Sequence, residues 1–254
     1  MSTHASAGRR WQPAELDALT VEDGFRLRGL EVTRLDTFVD AAFAFVLTLL
    51  VISFEEIPAS YGELVDAMKR VPAFIASFAL LMLFWLTHRQ WSRRYGLETG
   101  RTLTLSLTLI LVMLIYVYPL RTMIESAFAS LSGGWLPSEF VVGSIAELRG
   151  LFALYAVGFV VLSLLLRSLH DAALGAREGL GLDAFEIGWT QVSVRIWTVC
   201  AGVGATSLLC ALVLPDAIVA TAGFVYWLLG PAIGLVVWQG QRTHPRPERD
   251  GPQP

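Results

Sequence analysis

The polar side chains that could bind ions or transfer protons interrupt one apolar stretch, RLDTFVDAAFAFVLTLLVISFEE at positions 34–56. Arg34 and Asp40 lie near its start, a lone threonine lies in its middle at Thr48, and two glutamates close it. A charged side chain at the centre of a membrane span costs roughly 2.5–3.5 kcal/mol, and less near the interface, so it usually faces protein and has a partner. The stretch therefore has the character of a membrane helix whose polar groups need specific roles.

One face of this stretch combines apolar and hydroxyl side chains when it is placed on a helix at about 100° per residue. The face consists of Phe45, Thr48, Leu49 and Ile52, extended by Phe38 and Arg34 at one end and by Glu56 at the other. Such a face is typical of helix–helix packing. In a symmetric oligomer it would instead line a pore, with apolar rings as a constriction and Thr48 oxygens as ligands for a dehydrated ion. Glu55 and Glu56 would then raise the cation concentration at the outer mouth, or would simply be a solvated helix end.

Asp40 points in another direction, about 140° around the helix from Phe45. A later apolar run ends in FALLMLFWLTHRQWSRR and places Trp85 and His88 near the same side of the membrane as Asp40. We therefore expect a hydrogen bond to Asp40 from the Trp85 indole or from His88. The alternative is that both side chains lie at the membrane interface, where aromatic residues are enriched.

Six apolar runs are long enough, or nearly so, to cross about 30 Å of hydrocarbon as helices. They cover approximately residues 35–54, 72–92, 103–129, 148–169, 191–214 and 217–239. The 254-residue chain is 54% hydrophobic and 16% charged, whereas soluble domains are about 45–50% apolar and about 25% charged. The sequence predicts an all-α polytopic membrane protein with six transmembrane helices at residues 34–240. Residues 1–33 form an N-terminal segment and residues 241–254 a disordered tail.

The basic residues predict how the chain is oriented. Arginine is concentrated in the N-terminal segment, in the second and fourth connections and in the C-terminal tail. Lysine and arginine favour the cytosolic side of a membrane, so we expect both termini in the cytosol. An even number of spans agrees with that arrangement.

The sequence argues against an enzyme. Only His170 with Asp171 pairs a histidine with an acid near an interface, and adjacent residues do not share a helix face. Cys200 and Cys210 have no further cysteine or histidine at ligand spacing. We expect no catalytic residue, no metal site, no cofactor and no nucleic-acid partner.

Two motifs resemble the endosomal/lysosomal potassium channel family typified by transmembrane protein 175. RLDTFVD is similar to the R-x-x-x-F-S-D signature of that family, and FWLTHRQW is similar to its second-span F-W-x-x-H pattern. The matching residues are Arg34, Phe38 and Asp40 in the first motif and Phe84, Trp85 and His88 in the second. Pro119 in YPLRT looks like the proline near the outer end of the family's third helix.

The resemblance implies a potassium-permeable cation channel without the T-V-G-Y-G filter, which this sequence also lacks. Bacterial members have one six-span unit per chain and assemble as tetramers. By this likeness the chain is a homotetramer in a bacterial inner membrane, with monovalent cations and the lipid bilayer as its other partners. The first helix of each subunit lines the pore. Its constriction falls at Phe45, Leu49 and Ile52 and its hydroxyl ring at Thr48, the same face that helical geometry gives.

The resemblance also assigns a scaffold on the cytosolic side that fixes the pore helix. Its members are Arg34, Phe38, Asp40, Trp85 and His88. The chain departs from the family at Val39, which replaces the motif serine, and at Phe45, where the family has isoleucine or leucine. An alternative function is a proton pathway or proton-coupled transporter that uses Asp40 and His88 as relay groups.

Overall fold

The computed structural model describes residues 10–52, 58–138, 140 and 142–245, without the side chain of Ile52. These residues form eight α-helices, one 3-10 helix and one two-stranded antiparallel hairpin. In chain order they are α1 (Pro13–Asp17), β1 (Val21–Glu22), β2 (Phe25–Arg26), α2 (Arg34–Ile52), α3 (Tyr61–Tyr95), α4 (Gly100–Leu131), α5 (Ile145–Gly175), α6 (Arg177–Leu180), α7 (Ala184–Val213), the 3-10 helix Asp216–Leu228 and α8 (Leu229–Thr243).

Five helical segments of the described chain are long and apolar enough to cross a membrane. They are α3, α4, α5, α7 and the segment Asp216–Thr243, which consists of the 3-10 helix followed directly by α8. The prediction of a helical membrane protein is therefore confirmed. α2 has 19 residues and is not among the five; its first two turns carry Arg34, Asp36 and Asp40.

Side-chain caps determine where the long helices begin. The residue before each of α3, α4, α5 and α7 accepts a hydrogen bond from a backbone N–H of the first turn, which would otherwise be unpaired. The caps are Ser60, Thr99, Ser144 and Asp183. At its other end α3 stops at Gly96, whose φ of 54° is left-handed. A Cβ there would lie 2.8 Å from the carbonyl oxygen of Arg28, so glycine permits both the turn and the close contact.

The apolar core lies between α2, α3, α4, α5 and α7. The most extensive packing is between α5 and α7, and α2 contributes Val39, Phe43, Val46 and Leu50. Residues three or four apart share a helix side, so these four form one buried stripe along α2. α2 is thus held to the bundle along one side only.

α4 and α5 approach closely where Gly158 faces the ring of Tyr116. An alanine Cβ at Gly158 would overlap that ring, which is buried. We expect Gly158→Ala to destabilise the protein by roughly 1–3 kcal/mol, because an overpacked core must shift. Thermal melting of the detergent-purified protein measures the effect. Gly202→Ala is the matched control, since nothing lies within 4 Å of its Cβ position; equal melting temperatures for the two variants would contradict the prediction.

Residues 10–33 fold against one end of the bundle, which we call the hairpin end because β1 and β2 lie there. The Arg28 guanidinium donates to both carboxylate oxygens of Glu186 on α7, at 2.9 Å and 2.8 Å, and both side chains are fully buried. Arg28 also donates to the carbonyl oxygen of Leu180 at 2.8 Å. The backbone N–H of Gly29 donates to the carbonyl oxygen of Arg93 at 2.9 Å. The chain leading into α2 is therefore joined to α3, α6 and α7.

Candidate functional site

α2 begins with a pair of reciprocal hydrogen bonds between Thr33 and Asp36. The Asp36 backbone N–H donates to the Thr33 hydroxyl, and the Thr33 N–H donates to the Asp36 carboxylate, both at 3.1 Å. This is a capping box, in which the cap and the third helical residue satisfy each other's N–H groups. The start of α2 is therefore fixed by its own sequence.

The side of α2 opposite its buried stripe is open. Phe38 and Phe45 are 54% and 55% exposed, and Thr37, one residue before Phe38, and Thr48, three residues after Phe45, are exposed as well. Leu49 is half-buried and packs against the core. The structure therefore places Phe45 of the predicted constriction and Thr48 of the predicted hydroxyl ring on the open face, and Leu49 of the constriction at its edge. The side chain of Ile52, and all of Glu55 and Glu56, lie outside the described residues.

Thr48 presents acceptor lone pairs on this face. Its hydroxyl donates to the Ala44 carbonyl oxygen one turn earlier, at 3.0 Å. A hydroxyl has one donor hydrogen and two acceptor lone pairs. Because the hydrogen is used within the helix, the exposed oxygen is available to accept a hydrogen bond or to coordinate a cation.

Asp40 has the partner that the sequence predicts from α3. The Trp85 indole N–H donates to the Asp40 carboxylate at 2.8 Å. His88, the other expected donor, is buried and lies 2.9 Å from the hydroxyl of Ser106 on α4. The two α3 side chains therefore connect to different helices, Trp85 to α2 and His88 to α4.

Asp36 is a functional candidate that sequence reasoning missed. Its carboxylate accepts from the Ser92 hydroxyl on α3 at 2.6 Å and from the Thr33 hydroxyl at 2.9 Å. The T-x-x-D spacing before an apolar run was the available signal. Asp36 lies one turn before Asp40, so α2 and α3 share two polar links near the hairpin end.

Val39, which replaces the motif serine, is buried at 1% exposure in the apolar core. It adds packing between α2 and the bundle. The polar links near it come from Asp36 and Asp40.

The remaining candidates are separated in space or already paired. His170 is buried, with its Nδ1 2.8 Å from the Leu166 carbonyl oxygen. Asp171 pairs with Arg167 at 3.4 Å. Within the described ranges, no three histidine, cysteine or acidic side chains are grouped so that they could hold a metal ion.

Comparisons with known proteins agree with this architecture. The sequence profile of the endosomal/lysosomal potassium channel TMEM175 matches residues 34–119. A potassium channel of Marivirga tractuosa is 31% identical over 216 residues, which cover 82% of this chain and 87% of the relative. A variant of the potassium channel MtTMEM175, crystallised with a nanobody–MBP fusion protein, matches with a TM-score of 0.74 and 28% identity. That match covers 88% of this chain and 98% of the crystallised one. The chain belongs to the TMEM175 family of endosomal/lysosomal potassium channels.

Proposed function

We propose that this protein is a potassium-permeable cation channel whose pore is lined by the open face of α2 in a symmetric homotetramer. The main support is the polarity of that face. Arg34, Thr37 and Thr48 are exposed on it, and polar and charged groups are costly against lipid. A water-containing passage at the centre of an oligomer accommodates these groups.

α4 gives the contrasting case of a helix with a lipid-compatible surface. Its exposed side chains include Leu103, Leu107, Leu111 and Ile115, which follow one another at spacings of four residues. This stripe is apolar throughout. The difference between the two surfaces favours α2 as the helix that faces water and ions.

The same proposal assigns α2 as the first of six spans. A helix of 19 residues is about 28 Å long at 1.5 Å per residue, close to the thickness of the hydrocarbon core. The membrane domain then comprises residues 34–240. The arginine distribution supports an arrangement in the bacterial inner membrane with the hairpin end and both termini in the cytosol.

The proposal gives a role to each of the side chains that the sequence predicts along the pore. Phe45, Leu49 and Ile52 form apolar rings that narrow the pore, and Thr48 supplies a ring of oxygens beside them. Glu55 and Glu56 raise the cation concentration at the outer mouth. Selectivity for potassium over sodium is modest, because it arises from the cost of removing water in an apolar neck.

The links at the hairpin end keep the pore helix in place. Asp40 is held by Trp85 and Asp36 by Ser92, while His88 fixes α3 against α4. Arg34 and Phe38 complete this scaffold at the cytosolic entrance.

Thr48→Cys tests the pore-lining face directly. In a Cys200→Ala, Cys210→Ser background, we expect a cationic methanethiosulfonate reagent to remove most potassium flux from liposomes that contain this variant. The attached charged group would fill the neck. Leu111→Cys is the matched control, because it lies on the exposed apolar stripe of α4, and its flux should not change.

Two results would contradict the proposal. Flux through Thr48→Cys that resists the reagent would place Thr48 outside the pore. Flux that follows a proton gradient and disappears in Asp40→Asn, with no potassium current, would favour the proton pathway. Native mass spectrometry should give the mass of four chains, as expected for the tetramer.

A further inference from the structure

A groove of about 390 Å³ runs along α3 beside the β1–β2 hairpin. Leu83 and Leu86 line one part of it, and Arg89, Gln90 and Arg93 line another. Leu83 and Leu86 are 51% and 49% exposed. The groove therefore combines an uncovered apolar surface with a cluster of nitrogen donors.

The order of these side chains along α3 matches the order of layers in a bilayer leaflet. Leu83 and Arg93 are ten residues apart, or about 15 Å along a helix. The apolar end points away from the hairpin end and the arginine end lies at it. On the orientation given by the proposed function, the leucines lie in the hydrocarbon and the arginines at the cytosolic headgroups.

The charged groups of the groove leave one guanidinium uncompensated. Arg93 pairs with Glu22 at 3.0 Å, and the Arg94 guanidinium lies 4.0 Å from the centre of the Phe25 ring. Asp23 also lines the groove. Arg89 lies 5.2 Å from the centre of the Trp85 ring, and no carboxylate of the described chain is within ion-pair distance of it.

Arg89 therefore has donors available for an anion. A guanidinium presents N–H groups in a planar fork that matches phosphate oxygens, and the neighbouring Gln90 amide adds further donors. The Gln90 side chain makes no hydrogen bond within the part of the chain that the structure describes. Both side chains line the groove, so a phosphodiester placed in it would lie between them.

We propose that this groove binds an anionic phospholipid of the cytosolic leaflet. Its phosphate contacts Arg89 and Gln90, and its acyl chain lies on Leu83 and Leu86. The apolar half of the groove favours a lipid over free phosphate, because inorganic phosphate has no apolar group that could contact Leu83 and Leu86. The inference rests on the proposed orientation of the channel, but binding itself is measured independently of ion flux.

Occupation of the site would also affect the pore helix. Arg89 lies over the Trp85 ring, and the same indole donates to Asp40 on α2. A phosphate that fixes Arg89 would restrict the motion of Trp85 and so support this link. The lipid would act on α2 through two intervening side chains, Arg89 and Trp85.

Native mass spectrometry of the full-length protein in detergent tests the proposal with three probes: phosphatidylglycerol, phosphatidylcholine and inorganic phosphate. We expect phosphatidylglycerol alone to bind and to raise the melting temperature. Arg89→Ala with Gln90→Ala should weaken this binding at least about tenfold, the factor expected when hydrogen bonds to a charged group are lost. Arg89→Lys, which keeps the charge but loses the planar fork, should bind more weakly than the unmodified chain and more tightly than the double variant. Arg101→Ala, an exposed arginine outside the groove, should bind as the unmodified chain does.

Several outcomes would overturn the lipid site. Equal binding of phosphatidylcholine would show non-specific lipid adhesion, and equal binding of inorganic phosphate would show a simple anion site. Phosphatidylglycerol that binds the monomer but not the oligomer would show that a neighbouring subunit covers the groove. If the unmodified protein bound phosphatidylglycerol but conducted no potassium in liposomes, the channel proposal would be contradicted and the lipid site would still stand.

Discussion

Arg28→Ala is expected to destabilise the protein by roughly 3–5 kcal/mol, the cost of removing one partner from a buried ion pair. Both Arg28 and Glu186 have fully buried side chains, so the variant would leave the Glu186 carboxylate without its counter-charge in a dry environment. It would also leave the Leu180 carbonyl oxygen without its guanidinium donor. The melting temperature in detergent should fall accordingly.

The matched control is the more exposed pair of Arg167 and Asp171. Their side chains are 39% and 34% exposed, and exposed pairs contribute only about 0–1 kcal/mol. Asp171→Ala should therefore melt close to the unmodified protein. If Arg28→Ala and Asp171→Ala melted at the same temperature, the buried pair would not have the structural role assigned to it.

The double variant Arg28→Met with Glu186→Leu separates two effects. It removes both charges together, so any remaining loss of stability comes from the other hydrogen bonds that the two side chains make. Apolar pairs often replace buried ion pairs without a net loss of stability. Recovery should be incomplete here, because Glu186 also accepts a hydrogen bond from the Arg26 backbone N–H at 2.8 Å. A double variant as unstable as Arg28→Ala would indicate that these backbone bonds dominate.

Phe45→Ala is expected to raise potassium flux in liposomes several-fold. In the proposed tetramer, four phenylalanine rings face one axis and form an apolar neck that excludes water. Alanine would widen the neck and let it stay hydrated. The ring is 55% exposed in the single subunit, so its removal should have little effect on the melting temperature.

Phe224→Ala is the control for Phe45→Ala. Phe224 is 51% exposed and lies on the 3-10 helix, away from α2. Its flux should match that of the unmodified protein. Unchanged flux in Phe45→Ala would remove Phe45 from the constriction, and an equal rise in both variants would indicate a general leak.

Periodicity was sufficient to predict that Phe45 and Thr48 share one face of α2. The Phe45 and Thr48 side chains lie on the open face as the helical angle requires, and Trp85 reaches Asp40 because equal depth in the membrane brings the two together. The assignment of roles to these residues stays a prediction. Both successes rely on short-range geometry within one helix or between consecutive spans.

The ends of the helices were less predictable from hydropathy. The second apolar run, residues 72–92, lies towards the C-terminal end of α3, which extends from Tyr61 to Tyr95. Hydropathy marks only the residues that suit lipid, whereas helical hydrogen bonding continues until a cap or a left-handed glycine stops it. For α3 these are Ser60 and Gly96.

The last span illustrates a second limit. Residues 217–239 read as one apolar run, but the structure has a 3-10 helix to Leu228 and an α-helix after it. The apolar content of the segment is the same in either helical form, so hydropathy does not distinguish them. Local backbone geometry in this span depends on its packing against α7 and α5.

Partners distant in sequence were beyond prediction. Nothing near Arg28 indicates that its counter-ion lies 158 residues later, and Ser106 is one of many hydroxyls that His88 could have reached. Such pairs depend on how the helices are arranged, which one sequence does not state.

The distance between Arg28 and Glu186 in the chain has a consequence for synthesis. During translation Arg28 leaves the ribosome long before Glu186. The chain that leads into α2 therefore cannot be joined to the bundle by this ion pair until α7 has emerged. Until then the arginine stays hydrated, because burial without a counter-charge is too costly. The anchor of α2 therefore forms only after Glu186 has been synthesised, and chains whose synthesis stops before α7 lack it.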